Sequence, residues 1–155
     1  MILELVVNGR RLREQVEPHV TLLSFLREQA GATEAKYGCG EGVCGACTVF
    51  LDGLAVNSCS VFAVQAEGGR VETVAALADD GSLHPLQQEL VERGAVQCGF
   101  CTPGIVLGSI EAVRLGLAGD RPTIRRSLAG NLCRCTGYGK IIEAVEVYRD
   151  REGQA

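Results

Sequence analysis

The eight cysteines of this 155-residue chain fall into two groups of four, and this constrains the fold more than any other feature. The first group is Cys39, Cys44, Cys47 and Cys59, and the second is Cys98, Cys101, Cys133 and Cys135. Disulfide frameworks belong to exported proteins, and residues 1–13 carry no secretory signal pattern. We therefore expect a cytoplasmic protein whose reduced thiolates bind metal.

The composition indicates a globular chain and excludes some partners. Apolar residues make up 46% and charged residues 22%, a ratio that argues against disorder. The formal net charge of −4 at pH 7 argues against nucleic acid as the main partner, because phosphate binding needs a cationic surface. No run of 18 apolar residues occurs, so we expect no membrane-spanning helix.

The first half of the chain predicts a β-rich domain with one helix. Apolar residues alternate ahead of Asn8-Gly9, a pair that tolerates positive φ and favours a two-residue hairpin turn. Thr21 is placed to cap a helix that ends near Gly31. Further extended segments are expected at residues 48–51, 55–56, 61–65 and 71–74, the first two joined by Asp52-Gly53. Together these elements predict an α+β roll with one helix laid across a sheet face.

The second half predicts four short helices joined by short loops, which is typical of a small bundle. We expect the first helix to open at Ser82, with Pro85 in its first turn. The second is expected to begin at Pro103 and to run on to Gly119. The third spans residues 123–128, and the fourth carries an apolar stripe of Ile141, Ile142, Val145 and Tyr148.

Near residues 75–81 the spacing of apolar residues changes from that of strands to that of helices, which predicts two domains, residues 1–76 and residues 77–155. Domains of this size gain only about 3–5 kcal/mol of stability from a core alone, so they are expected to need cross-links such as bound metal. Four cysteines fall in each half.

The first cysteine group has the C-x4-C-x2-C spacing with a distant fourth cysteine that is typical of a plant-type [2Fe–2S] loop. Gly40, Gly42 and Gly45 would let the backbone wrap closely and point N–H groups at the sulfurs. Zinc is the alternative, but its sites favour short spacings in both ligand pairs. Eleven residues separate Cys47 from Cys59. The spacing therefore favours an iron–sulfur cluster.

The second group, Cys98-x2-Cys101 with Cys133-x-Cys135, is less specific. A redox dithiol would leave Cys133 and Cys135 unexplained. A C-x-C pair can place two thiolates on one iron, and the predicted helix starts at Pro103 and Tyr138 would direct positive helix ends at the site. The spacing favours a second [2Fe–2S] cluster and leaves zinc open.

Other patterns in the sequence are weaker evidence of function. Gly40-x-Gly42-x2-Gly45 matches the dinucleotide fingerprint, but it is interleaved with cysteines and precedes an extended run. A Rieske centre needs histidines near the cysteine pairs, and His19 and His84 lie far from them. We expect His19 in a turn and His84 at a helix start. Four arginines form either a docking surface or a solvated face: Arg121, Arg125, Arg126 and Arg134.

Three strings of the sequence resemble a known family. They are Tyr37-GCGEGVCGACTV-Phe50, Val96-QCGFCTPG-Ile105 and Gly130-NLCRCTGY-Gly139. They are similar to the small iron–sulfur subunit of molybdenum hydroxylases, the family of xanthine dehydrogenase, aldehyde oxidase and aerobic carbon monoxide dehydrogenase. The resemblance runs from about Leu3 to Val147.

The resemblance implies a ferredoxin-like β-grasp domain followed by a helical four-helix domain, each holding one [2Fe–2S] cluster. It implies that the first cysteine group binds a cluster facing a medium FAD subunit. The second group would bind a cluster beside the molybdopterin of a large catalytic subunit, with Gln97 and Cys135 approaching that pterin.

The implied function is electron transfer within a multi-subunit oxidoreductase. Single electrons would pass from the partner's molybdenum site through both clusters to FAD or another acceptor, and the substrate would be oxidised on the partner chain. The alternatives are a free-standing ferredoxin-like carrier and a structural zinc module. The chain departs from the family pattern at Glu34-Ala35-Lys36 and in the loop before Thr123, which lacks the usual acidic helix start. Only local partner contacts depend on these departures.

Overall fold

A mixed sheet of five strands organises the N-terminal half in the computed structural model, which describes residues 1–78 and 81–153. The strands are β1 (Ile2–Val7), β2 (Arg10–Gln15), β3 (Thr48–Leu51), β4 (Leu54–Asn57) and β5 (Arg70–Glu72). Their order across the sheet is β2-β1-β5-β3-β4. The central pair, β1 and β5, is parallel, and the other pairs are antiparallel.

Both predicted hairpins form, and their turns explain why. Asn8 and Gly9 have φ of 48° and 79°, and Asp52 and Gly53 have φ of 50° and 82°. Two successive residues with positive φ give the turn whose twist matches that of the flanking strands. The turn residues therefore set the register of each hairpin.

One helix, α1 (Leu22–Glu28), covers a face of the sheet, as predicted. The hydroxyl of Thr21 accepts a hydrogen bond from the Ser24 N–H at 3.1 Å and so caps the first turn. Leu22, Phe25 and Leu26 are fully buried and join Leu3 of β1 in the first core. Each such side chain contributes roughly 1.5–3 kcal/mol by leaving water.

The extended segment expected at 61–65 is mostly wrong, and the one expected at 71–74 forms only as far as Glu72, the end of β5. Beyond a single bridge at Phe62, residues Ala63–Ala66 form a short helical turn, and Val74–Leu77 form another after β5 ends. Side chains explain the change, since Gln65 accepts from the Phe62 N–H and Thr73 accepts from the Ala75 N–H. Such local bonds offer the backbone an alternative to strand pairing.

Four helices form the C-terminal half, as predicted: α2 (Pro85–Glu92), α3 (Thr102–Arg114), α4 (Arg121–Ser127) and α5 (Gly139–Glu152). They enclose a second core, separate from the first. The predicted stripe of α5 is buried in it. The fold is therefore α+β, with a β-grasp half and a four-helix half.

Several helix ends differ from the prediction. The first helix begins at Pro85 and not at Ser82, because His84 is its cap: its Nδ1 accepts from the Leu86 N–H at 3.2 Å, and Leu83 is 52% exposed. The second helix ends at Arg114, since Gly116 takes the left-handed conformation that stops a helix.

The start of α4 is a further correction. The helix begins at Arg121, and the carboxylate of Asp120 accepts from the Thr123 N–H at 2.8 Å. The expectation that this loop lacks an acidic helix start is therefore wrong. After α4, a short turn at Leu128–Gly130 leads to Asn131.

Helix α3 joins the two halves. The Glu111 carboxylate accepts from the Ala55 N–H of β4 at 2.7 Å, and the Arg114 guanidinium lies 5.3 Å from the centroid of the Phe50 ring. Arg114 also donates to the carbonyl oxygen of Gly53.

The predicted boundary region, residues 75–81, includes Asp79 and Asp80, which lie outside the described residues. Within the described ranges, none of the helices has the length and apolar character that crossing a bilayer requires.

Candidate metal centres

The first cysteine group is assembled by one loop and one turn. Cys39, Cys44 and Cys47 lie in the loop between α1 and β3, and Cys59 lies in the short turn Ser58–Ser60 after β4. Ser58 ties these pieces together, because its hydroxyl donates to the Cys47 carbonyl oxygen at 2.7 Å. The sulfurs form two pairs, Cys39 with Cys44 and Cys47 with Cys59.

Glycines shape the loop around Cys39 and Cys44, the outer pair of the first group. Gly40, Gly42 and Gly45 have φ of 73°, 76° and 67°, which a β-carbon disfavours. This path points the Glu41 N–H at the Cys39 sulfur, 3.3 Å away, and the Cys39 N–H at the Cys44 sulfur, 3.4 Å away. The loop thus provides backbone donors for negatively charged sulfur.

The two pairs sit in different environments. The N–H groups of Glu41 and its neighbours lower the pKa of the half-buried Cys39 thiol to about 6. Burial raises the pKa of Cys47 to about 11. One edge of the site is therefore wet and rich in donors, and the other edge is dry.

The second group lies at the start of two helices. Cys101 directly precedes α3, and Cys133 and Cys135 lie between the Leu128–Gly130 turn and α5. The Cys98 and Cys135 sulfurs are 3.6 Å apart, and the Cys101 and Cys133 thiols contact each other. The suggestion that Cys133 and Cys135 share one iron is therefore wrong for this geometry, since each is paired with a cysteine of the Cys98-x2-Cys101 segment.

Burial and hydrogen-bond donors act in opposite directions on Cys101 and Cys133, the inner pair of the second group. Burial raises the pKa of Cys101 to about 12. Burial acts in the same direction on Cys133, but hydrogen bonds from the Thr136 hydroxyl and N–H, the Cys135 N–H and the Cys101 thiol together lower the Cys133 pKa. The Thr136 hydroxyl lies 3.0 Å from the Cys133 sulfur. In the outer pair, the neighbouring Cys98 thiol raises the pKa of Cys135.

The donor set fits a binuclear iron–sulfur cluster at each group. Two thiolates on one tetrahedral metal, with bonds of about 2.3 Å, lie roughly 3.8 Å apart. The 3.6 Å between Cys98 and Cys135 agrees with that spacing. Each group offers two pairs of interacting thiols, one pair for each iron, with backbone N–H groups aimed at the sulfurs. Across the described ranges, no three His, Cys, Asp or Glu side chains converge on a single ion.

The two groups are joined by one backbone hydrogen bond. The Leu132 N–H, one residue before Cys133, donates to the Cys44 carbonyl oxygen at 2.8 Å. Beside it, the buried Asn131 amide contacts Gly45 of the first loop. The prediction from sequence missed Asn131, Gly104 and Gly108, although glycines four residues apart inside a helix can indicate a close packing contact.

The remaining predicted residues lie on the surface. Gln97 is exposed, as are its chain neighbour Cys98 and Cys135. Arg121 pairs with Glu146 at 2.6 Å, Arg125 lines a hollow of about 420 Å³ with Leu132 and Tyr138, and Arg134 is exposed.

Comparison with known proteins identifies both halves. The family model described as "2Fe-2S iron-sulfur cluster binding domain" matches residues 5–81, and the one described as "[2Fe-2S] binding domain" matches residues 73–146. Each match includes one cysteine group.

Whole proteins and solved structures resemble the chain along nearly its full length. The chain is 45% identical over 148 residues to caffeine dehydrogenase subunit gamma of Pseudomonas sp. (strain CBB1), covering 94% of this chain and 89% of that one. It is 44% identical over 147 residues to the xanthine dehydrogenase iron-sulfur-binding subunit of Escherichia coli O157:H7, covering 92% and 91%. The crystal structure of quinoline 2-oxidoreductase from Pseudomonas putida 86 superposes with a TM-score of 0.93 and 40% identity, over 99% of this chain and 94% of that one.

Proposed function

The chain belongs to the molybdenum hydroxylase family, as its small [2Fe–2S] iron–sulfur subunit, and from this premise we propose a specific electron route. Single electrons leave a molybdenum–molybdopterin site in a large partner subunit, cross this chain, and reach a medium FAD subunit or another acceptor. The chain is part of an oxidoreductase, and substrate is oxidised on the partner. The zinc module is set aside, because both family models that match the chain describe [2Fe–2S] domains.

The observation that carries the proposal is the hydrogen bond from the Leu132 N–H to the Cys44 carbonyl oxygen. Leu132 is bonded to Cys133, and Cys44 belongs to the other cysteine group. The connection from one group to the other therefore runs along two short stretches of backbone and crosses one hydrogen bond of 2.8 Å. A chain that merely held metal for stability would not need its two sites joined in this way.

The eight cysteines are the proposed ligands, four to each cluster: Cys39, Cys44, Cys47 and Cys59, then Cys98, Cys101, Cys133 and Cys135. A bound [2Fe–2S] cluster accepts and releases one electron at a time. The chain's own contribution is to hold the sulfurs in pairs and to aim N–H groups at them. The loop can follow this path because Gly40, Gly42 and Gly45 adopt positive φ. Such outer contacts tune the potential of a metal site.

Each cysteine group has an exposed side that a partner subunit could reach. Cys98, Cys135 and Gln97 are exposed, and the family resemblance implies that Gln97 and Cys135 approach the pterin, so we assign this end to the molybdopterin of the large subunit. The Cys39 loop is exposed on its own side, with Tyr37 and Val43 offering apolar surface next to it. We assign that side to the FAD subunit or another acceptor.

We also propose the domain division and the compartment. The two matched ranges overlap at residues 73–81, which supports a boundary between residues 76 and 77. A cytoplasmic location would keep the eight thiols reduced for metal binding.

Purification of the native protein from the cells that produce it tests the proposal. We expect a larger molybdenum-containing chain and a FAD-containing chain to co-purify, with two irons and two acid-labile sulfides for each cluster. An iron-loaded free monomer would favour an independent carrier and contradict the subunit role. Colourless protein that contains zinc would contradict the electron route altogether.

A further inference from the structure

Asn131 is a buried polar residue between the two cysteine groups. It is 8% exposed and lies two residues before Cys133. Its Nδ2 donates to the carbonyl oxygen of Gly45 at 3.2 Å and to the hydroxyl of Thr48 at 3.3 Å. Gly45 lies between Cys44 and Cys47, and Thr48 begins β3 directly after that loop, so the Asn131 amide binds the loop that carries the other cysteine group and the start of the strand that follows it.

The backbone around these bonds is packed without room for one more carbon. A β-carbon on Gly45 would come within 2.2 Å of the Gly130 carbonyl oxygen and 2.4 Å of the Asn131 Nδ2. A β-carbon on Gly104 of α3 would come within 2.0 Å of the Gly45 carbonyl oxygen. The first loop therefore touches both α3 and the segment that leads to Cys133.

Helix α3 also holds the other side of the amide. A β-carbon on Gly108 would lie 2.6 Å from the Asn131 Oδ1, and its three nearest neighbours would all be Asn131 atoms. Gly108 lies one turn after Gly104 on the same face of α3. The Asn131 side chain is thus enclosed between the helix and the loop, with its oxygen towards the helix and its nitrogen towards the loop.

We propose that Asn131 is a positioning residue that sets the separation and relative orientation of the two clusters. It does so by fixing Gly45 against α3, which keeps the adjacent Leu132 N–H in place on the Cys44 carbonyl oxygen. The inference rests on the proposed function, because it presumes that both groups bind a cluster. Electron transfer between fixed centres depends on such placement, which a side chain locked by packing can maintain.

The test measures the magnetic interaction between the two clusters in the full chain after complete reduction with dithionite. Dipolar interaction falls with the cube of the distance, so a looser contact weakens it. We expect Asn131→Ala to narrow or remove the splitting that paramagnetic resonance shows in the wild type, in protein that retains iron for both clusters. A role confined to stability would lower the melting temperature and leave the splitting unchanged.

Asn57→Ala is the matched control. Asn57 is another asparagine whose Nδ2 donates to a carbonyl oxygen of the same loop, that of Gly42, at 2.8 Å. Both partners lie in the β-grasp half, so this variant is expected to alter the first loop and to keep the interaction between the clusters.

Gly108→Ala extends the test to a cycle of substitutions. Alone, it forces a β-carbon onto the Asn131 amide and is expected to weaken the interaction. In the Asn131→Ala background the obstructing atoms are gone, so the same change is expected to add no further loss. Equal losses in both backgrounds would contradict the proposal. If Asn131→Ala fails to retain both clusters, Gly108→Ala decides the matter, and an unchanged splitting there overturns the proposal.

The wild-type spectrum separates this inference from the proposed function. A wild-type chain with only one binuclear signal, or none, would contradict the proposed function. Two interacting signals in the wild type and an unchanged splitting in Asn131→Ala would contradict only the role of Asn131.

Discussion

The Leu132 N–H donates to the Cys44 carbonyl oxygen across 2.8 Å, linking a residue next to one cysteine group with a residue of the other. The two residues are far apart in the sequence, and each lies in a different half of the chain. The halves are therefore held in a fixed relation at the point where their metal sites approach each other. Substitutions that disturb the packing around this contact should affect both halves.

Alanine at Gly104 should drive the halves apart. The new β-carbon would lie 2.0 Å from the Gly45 carbonyl oxygen, which is backbone and cannot rotate away. We expect a loss of roughly 1–3 kcal/mol in the free energy of unfolding, as is typical of overpacking. Urea denaturation of the cluster-loaded protein measures it.

Gly139→Ala is the control for Gly104→Ala. Gly139 starts α5 and has no positive φ, and a β-carbon added there would meet no heavy atom within 4 Å. This substitution is expected to be neutral or to stabilise by up to about 1 kcal/mol, since alanine favours helix. Equal losses in both variants would show that Gly104 has no special role in the contact.

Removal of the charge at Arg134 should lower the potential of the second cluster. Arg134 lies between Cys133 and Cys135 and is exposed, so its charge stabilises the reduced, more negative state through a screened interaction. We expect Arg134→Ala to shift the midpoint downwards by roughly 20–50 mV. A redox titration followed by paramagnetic resonance resolves the two clusters.

Arg11, which is also exposed and lies on the edge strand β2, provides the comparison for Arg134. Arg11→Ala removes the same charge away from both cysteine groups, so neither midpoint should move appreciably. An unchanged or higher second midpoint in Arg134→Ala would be incompatible with the electrostatic explanation.

The buried carboxylate of Glu89 should depend on its two arginine partners. Glu89 is 1% exposed, and its carboxylate lies 2.9 Å from the guanidinium of Arg93, the residue that caps the end of α2, and 2.6 Å from that of Arg151 in α5. Replacing both arginines with methionine leaves a buried charge without a partner, which costs about 3–5 kcal/mol. Adding Glu89→Gln to that variant should recover much of the loss in thermal unfolding.

The exposed pair of Glu4 and Arg13, 3.1 Å apart, is the reference for Glu89. Arg13→Met should change the free energy of unfolding by no more than about 1 kcal/mol, as is usual for surface ion pairs. No recovery with Glu89→Gln would mean that the arginines act by packing alone.

Acid should weaken the cap of α2. Burial lowers the pKa of His84 below its ordinary 6.5, because the neutral ring is favoured in the fold. The unfolded chain therefore binds more protons near pH 6, and stability rises with pH through this window. The contribution is complete above about pH 6.5 and is lost as the pH falls through the lowered folded pKa.

His84→Asn should reduce this acid dependence, since asparagine also caps helices and does not titrate in this range. The difference in melting temperature between pH 7.5 and pH 5 is the measurement. The melting temperature of the wild type should fall further between these pH values than that of His84→Asn. Equal decreases would show that His84 is not the group responsible.

The parts that were predictable depend on neighbours in the sequence. The hairpin turns at Asn8-Gly9 and Asp52-Gly53 and the Thr21 cap are decided within a few residues, and they form as expected. The prediction of a helix end was wrong where two residues could act as the cap. His84 caps α2 in place of Ser82, because its ring nitrogen reaches the Leu86 N–H.

The arrangement of the sites was beyond sequence spacing. Cysteine spacing indicates which residues can share a cluster, but the pairing of Cys98 with Cys135 depends on how α3 and α5 meet. The contact of Asn131 with Gly45 joins residues 86 positions apart, and no local pattern encodes it. Tertiary packing decides both.

The most direct test of the account is metal analysis together with paramagnetic resonance of the dithionite-reduced chain and of two cysteine variants. The account predicts iron and acid-labile sulfide for two binuclear clusters, and two distinct signals in the wild type. Cys47→Ser should remove only one of these signals, and Cys101→Ser only the other. Iron-free protein, or a single binuclear signal in the wild type, would contradict the account.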